Sequence, residues 1–265
     1  MSLQQNVYAY LSSAWVDITD DVLAQYGVSG ENGMKSNRPT DRVASPGKLS
    51  FSLKNNDSRY TPGATGSITG WGKNTKIKVV FSHNTISKTK FIGYVDSVKI
   101  VINPNNIIAN VTALSWMQYA VNQPINNPPL QTSKTATDAI GNIVSNVPVQ
   151  PEDTDYATGY NTFPYIFHDA VIKTRAYSEF TKIALSEWGY IYDKADGTLV
   201  LESYTSRDTP VQKEVTYYTE RSGYIKKSDG GYILKSDGGK ILLSPYTGTT
   251  TNAELNDDFT GVDVT

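Results

Sequence analysis

Between residues 47 and 55 apolar side chains stand at Leu49, Phe51 and Leu53, with Lys48, Ser50, Ser52 and Lys54 alternating around them. A period of two sends successive side chains to opposite faces of an extended chain, so this segment is a half-buried strand. Further β-rich runs follow at 76–81, 91–102 and 107–114, separated by His83-Asn84 and Asn103-Pro104-Asn105-Asn106 as turn material. Upstream, 7–11 and 15–18 form a short hairpin. Consecutive strands joined by short turns must close or stack to cover their apolar face, so residues 1–113 are expected to form an antiparallel β-barrel or sandwich.

Beyond Leu114 the pattern changes. Pro124, Pro128 and Pro129 interrupt residues 115–130, which read as a connection between domains. Thr135 to Asp138 has the form of a capping box, and Ala136, Ala139, Ile140, Ile143, Val144 and Val147 follow at helical spacing until Pro148. A second helix is expected over 176–188, with Ala176, Phe180, Ile183, Ala184 and Trp188 as its apolar stripe and Gly189 as a left-handed cap. Strands at 190–192 and 198–204 pair around the turn Asp196-Gly197. The segment 224–244 repeats with a period of eight around Ser-Asp-Gly-Gly, which predicts a short β-meander. The expected fold class is mainly β with an α+β part. Its domains are 1–113, 114–222, the repeat at 223–246, and a linker at 247–265 that opens a further β-sandwich module.

Composition narrows the chemistry. The chain has no cysteine, which excludes disulfides, thiolate metal sites and cysteine nucleophiles. Its 24 Lys and Arg against 26 Asp and Glu give a net charge of −2, too balanced for strong non-specific attraction to nucleic acid or anionic membranes. No run of apolar residues has the length of a membrane span, and the first twelve residues lack the basic start of a signal peptide. The two histidines, His83 and His168, cannot supply a three-histidine zinc site, and no Gly-x-Ser-x-Gly elbow accompanies His168. The acidic pairs Asp20-Asp21 and Asp257-Asp258 and the group Glu152 to Asp155 lack the spacing of a calcium loop. Asp20 and Asp21 suit the first turn of a short helix. Trp15, Tyr60, Trp71 and Tyr94 could build an aromatic sugar platform, with packing in a core or at a subunit contact as the alternative. No catalytic, cofactor-binding or metal-binding residue is assigned, and no enzyme activity or cofactor is expected.

The order of particular segments carries a resemblance. Trp15-Val16-Asp17-Ile18-Thr19 leads through Asn37-Arg38-Pro39 to Pro46-Gly47-Lys48-Leu49-Ser50-Phe51-Ser52-Leu53-Lys54-Asn55-Asn56-Asp57-Ser58-Arg59-Tyr60-Thr61-Pro62-Gly63, and then to Phe91-Ile92-Gly93-Tyr94-Val95. This series resembles tail proteins of tailed bacteriophages. Looser matches at Ala113-Leu114-Ser115, around Ile140 and over 176–197 extend the resemblance to about residues 7–204. It implies the central baseplate-hub group, in which a β-barrel domain continues the lining of the tail tube and the protein works as a homotrimer. Residues 255–265, with Asp257-Asp258-Phe259-Thr260-Gly261, resemble the opening of β-sandwich modules appended to such proteins. The Ser-Asp-Gly-Gly repeat stands outside the pattern.

The resemblance implies a virion location at the tail tip. Its expected partners are further copies of the chain, distal-tail and tail-tube proteins, the tape-measure protein, and tip-fibre or receptor-binding proteins. No membrane is involved, and DNA passes only as cargo. Strand edges around 49–53 and 91–98 are the expected subunit contacts, with Leu49, Phe51, Leu53, Trp71, Phe91 and Tyr94 as their residues. A carbohydrate-binding or adhesion module and a tail-associated cell-wall hydrolase scaffold are the alternative readings.

Overall fold

A computed structural model describes residues 3–36, 38–104, 106–125, 130–166 and 174–207, with the backbone of 223–224 and 242–243. The chain divides into two units, residues 1–208 and 209–265. The first unit opens with seven strands: β1 (Gln4–Leu11), β2 (Ala14–Asp17), β3 (Val28–Met34), β4 (Ala44–Lys54), β5 (Lys76–His83), β6 (Ile86–Asn103) and β7 (Asn106–Leu114). They form one antiparallel sheet in the order β2-β1-β5-β6-β7-β4-β3. Its outer strands β2 and β3 do not pair with each other, so of the two expected forms the sheet takes the open, sandwich-like one.

The 18-residue strand β6 is shared between two neighbours. Its first half pairs with β5 up to Lys76 opposite Tyr94, and its second half pairs with β7 from Tyr94 to Asn103. A register shift between Val95 and Ser97 marks the exchange of partners, as expected for a bulge that bends a strand. The backbones crowd at this corner. A Cβ on Gly93 would meet the Leu114 carbonyl and come within 2.6 Å of the Phe91 ring, so only glycine fits.

The alternation read at 47–55 is realised in β4: Leu49, Phe51 and Leu53 are buried, opposite Ala113, Val111 and Ala109 of β7. They share one core with Val7, Ala9 and Leu11 of β1, Ile77 and Val79 of β5, and Phe91 and Val95 of β6. Tyr60 and Trp71, from the glycine-rich stretch before β5, plug this core with rings 4.9 Å apart. The Trp71 indole N–H donates to the Tyr60 carbonyl at 3.0 Å. The acidic pair at 20–21 lies in a single 3₁₀ turn, Thr19–Asp21, where the Asp21 carboxylate accepts from the Tyr60 hydroxyl and pairs with Arg59 at 3.3 Å.

The α+β part holds α1 (Met117–Asn122), β8 (Gln131–Thr135), α2 (Ala136–Ser145), β9 (Asp153–Tyr156), β10 (Thr162–Ile166), α3 (Ala176–Glu187), β11 (Tyr190–Asp193), β12 (Thr198–Glu202) and a final turn, α4 (Tyr204–Arg207). Strands β11, β12 and β9 form one sheet, with β12 parallel to β9, and β8 pairs with β10. The capping box at α2 is complete: the Thr135 hydroxyl accepts from the Asp138 N–H, and the Asp138 carboxylate accepts from the Thr135 N–H. The apolar stripe of α2 and, from α3, Ala176, Phe180, Ile183 and Ala184 meet in a second core with Trp116, Met117, Ile191, Leu199 and Leu201, while Trp188, expected in the α3 stripe, lies past the helix end and is exposed.

Two local expectations are corrected. Residues 115–130 include helix α1, because Trp116, Met117 and Ala120 are needed in the second core. The left-handed residue that ends α3 is Trp188, at φ 51°, and not Gly189. Gly189 is required for a different reason, since a Cβ there would collide with the Glu202 carbonyl of the neighbouring strand. Within residues 209–265, β13 (Gly223–Tyr224) pairs antiparallel with β14 (Leu242–Leu243). The repeat between these strands and the segment 255–265 lie outside the described residues, as does His168.

Candidate functional site

The six residues expected at subunit contacts do not form a surface. Leu49, Phe51, Leu53, Trp71 and Phe91 are each at most 6% exposed, and all belong to the core of the seven-stranded sheet. β4 is not an edge, since it lies between β7 and β3, whereas residues 86–93 of β6 pair with β5 alone and have no strand of the described residues on their β7-facing side. The sequence shows which residues form strands, but the order of strands follows from long-range pairing, and that order places β4 inside. The open edges among the described strands are β2, β3 and two stretches of β6: the β7-facing side of residues 86–93 and the side of residues 96–103 that faces away from β7. On that last stretch Ile102 is 77% exposed.

Tyr94 is the exception among the six, being half-buried on the opposite face of the sheet against Tyr119 of α1, with ring centroids 5.0 Å apart. Burial raises its phenol pKa, and the charges of Glu152 and of the ionised Tyr119 hydroxyl add to the shift. On the same face of the sheet, Lys78 lies 4.4 Å from the Trp15 ring and 5.2 Å from the Tyr8 ring, and Tyr10 packs edge-on to Trp15 at 5.2 Å. Trp15 and Tyr94 therefore lie outside while Tyr60 and Trp71 are interior, and the four aromatics expected as a sugar platform do not share a face.

Tyr94 belongs to a seam where the sheet meets the α+β part. Lys76 of β5 pairs with Glu152. The Gly47 N–H donates to the Ser115 hydroxyl at 2.8 Å, and the Tyr177 hydroxyl of α3 donates to the Val43 carbonyl at 3.1 Å. Val43 also forms a parallel bridge with Ile191, whose N–H donates to the Arg42 carbonyl at 2.9 Å. Asp193 lies in this seam and accepts from the Met117 N–H at 3.3 Å, with Ser115 as a further donor; burial nevertheless raises its carboxyl pKa. Sequence reasoning missed the seam, because Arg42, Tyr177 and Asp193 are separated by long stretches of chain and carry no motif.

The acidic group at 152–155 is engaged in structure. Glu152 holds Lys76, Asp153 accepts from the Thr154 N–H at 2.8 Å, and Asp155 pairs with Lys194 at 2.7 Å. Among the described residues no three His, Cys, Asp or Glu side chains converge as a metal site would require, and no helix is long and apolar enough to cross a membrane. The fold leaves strand edges open and several aromatics exposed, including Trp188 at 61% and Tyr160 at 66%, beside its two cores.

No protein-family model matches the sequence, and no curated protein matches it. Solved structures do. The 43 kDa tail protein of prophage MuSo2 from Shewanella oneidensis superposes with a TM-score of 0.53 over 76% of this chain and 54% of that one, at 13% identity. The tail protein from Neisseria meningitidis MC58 gives a TM-score of 0.51 over 84% of this chain and 58% of that one, at 14% identity. This chain thus spans somewhat more than half the length of either. At such low identity the likeness is one of fold alone. The chain therefore has the fold of phage tail proteins, the group its strand motifs resemble.

Proposed function

We propose that this chain is a structural subunit of a phage-type tail, placed at the tail tip or baseplate hub. Copies of it form a closed ring, with three copies in the expected homotrimer, that ends the tail tube and holds the tip or receptor-binding proteins. The observation that carries this reading is the agreement between the fold likeness and the ordered N-terminal motifs. The seam supports it physically, since a two-core frame joined by an ion pair, hydrogen bonds and a strand bridge suits a part that must bear load and needs no catalytic group.

In this reading residues 1–113 are the hub's β domain, 114–222 its α+β domain, 223–246 the repeat, and 247–265 a linker into a further module. Distal-tail, tail-tube and tape-measure proteins are the neighbours on the tube side, and DNA is only passing cargo. The contacts between copies run along the open edges β2, β3 and residues 96–103, where backbone N–H and C=O groups lack strand partners. Opening for DNA passage is a mechanical shift of these contacts. Hydrogen exchange on assembled and dissociated protein tests the assignment. Amides of β3 and of 96–103 should gain protection on assembly, and equal protection in both states would contradict it.

A further inference from the structure

The segment between β3 and β4 walls one side of an open groove of about 720 Å³, whose lining includes Arg38, Pro39, Asp41, Arg42 and Tyr190. Arg42 is only 7% exposed, and its guanidinium lies 4.4 Å from the Trp188 ring and 5.0 Å from the Tyr190 ring. Its one hydrogen bond among the described residues runs from Nη1 to the Trp188 carbonyl at 2.8 Å. Its Nε is buried with no partner, and no carboxylate among the described residues pairs with it. A guanidinium carries five N–H donors, and a buried charge without a counter-ion is costly.

The other buried charged side chains are well met. Glu187 accepts from two backbone N–H groups, and Glu179 accepts from Thr174 and Lys182. Among the described residues Arg42 is the buried charged group left under-compensated. We propose that the groove seats a carboxylate side chain from a second copy of this chain, with Arg42 and Arg38 as its anchors.

Four observations select this occupant. A carboxylate matches the planar fork of arginine, while Asp41 in the lining disfavours a more highly charged anion such as phosphate. The groove is open rather than enclosed, unlike the cavities that bury small ligands. Arginine, tryptophan and tyrosine are the residue types that dominate interface energies, and here all three meet. Finally, exposed carboxylates such as Glu31 and Asp153 form no ion pair among the described residues, and Glu31 lies on the open edge β3, which runs into the groove at Met34.

This inference rests on the reading of the chain as a self-assembling subunit, and the test separates the two. Arg38 is exposed and uses only its backbone in hydrogen bonds, so Arg38→Glu leaves the fold intact while placing a repelling charge in the groove. Sedimentation of the full chain should show self-association weakened about tenfold or more in Arg38→Glu, and in Arg42→Gln as well. In a mixture of isotope-labelled and unlabelled R38K protein, zero-length carbodiimide coupling should join the introduced amine to a carboxylate of the other copy, identified by mass spectrometry. If the wild type assembles but both variants assemble with unchanged strength, or no crosslink between copies forms, the groove assignment fails and the assembly reading stands. A wild type that is monomeric at every concentration overturns both.

Discussion

Replacing Leu53 by alanine separates a core residue from a contact residue. Leu53 is fully buried in β4, opposite Ala109 and beside the loop residue Val22. The substitution removes three carbons from an apolar site, about 2.4 kcal/mol at ~0.8 kcal/mol per methylene. Incomplete collapse of the cavity adds about 0.5–1.5 kcal/mol, so the expected loss is about 3–4 kcal/mol. With a urea dependence of about 2 kcal/mol per molar, the unfolding midpoint should fall by about 1.5–2 M. Urea melts followed by tryptophan fluorescence, run at low and high protein concentration, provide the assay. A core origin makes the shift the same at both concentrations, whereas a contact origin makes it depend on concentration through mass action. A loss below about 1 kcal/mol, well under the range for a buried leucine, or a loss confined to the assembled protein, would refute the placement of Leu53. Ser50→Ala, on the opposite face of the same strand, should change stability by less than about 0.5 kcal/mol and serves as the control.

Glu187→Ala should cost about 2–4 kcal/mol, since the buried carboxylate bonds the N–H groups of Tyr160 and Asn161 at 2.7 and 3.0 Å. Faster exchange of those two amides is the readout. Gly93→Ala should destabilise by more than about 2 kcal/mol because the added methyl meets the Leu114 carbonyl and the Phe91 ring, and circular dichroism melts would reveal it. Thr135→Ala removes the cap of α2 at about 1 kcal/mol, with increased exchange confined to the first turn of that helix. Asp193 has a folded pKa raised by burial, so the folded state binds its proton more tightly than the unfolded chain. Its contribution to stability therefore falls as pH rises above the unfolded value of about 4. The stability of wild type relative to Asp193→Asn should accordingly improve as pH is lowered from neutrality towards 4, and a constant difference across that range would contradict the shift.

Local chemistry was legible from residue order. The period of two at 47–55, the capping box at Thr135 and the turn at Asp196-Gly197 each rest on neighbours in the chain, and each appears where it was read. What is not local was not legible. β3, with Gly30, Glu31 and Gly33, is too polar to announce itself, and it forms because β4 offers it an edge. Helix α1 is hidden beside prolines, and its reason to exist is a core assembled from residues as distant as Val43 and Leu201. The same limit explains the misplaced contact surface. Apolar alternation identifies a strand and its buried face equally well for an edge or an interior position, so Leu49, Phe51 and Leu53 could be read as contact residues until the strand order placed β4 between β7 and β3. Arg42 gave no signal at all, since its surroundings are assembled from Trp188 and Tyr190 on the far side of the seam.

The central claim is that copies of this chain close into a ring at the end of a tail. Light scattering of the purified chain at low and high concentration, with negative-stain imaging of the heaviest fraction, tests it most directly. The account predicts a discrete oligomer of three copies that appears as a ring with a central opening. A folded protein that keeps the mass of one chain at every concentration would contradict it.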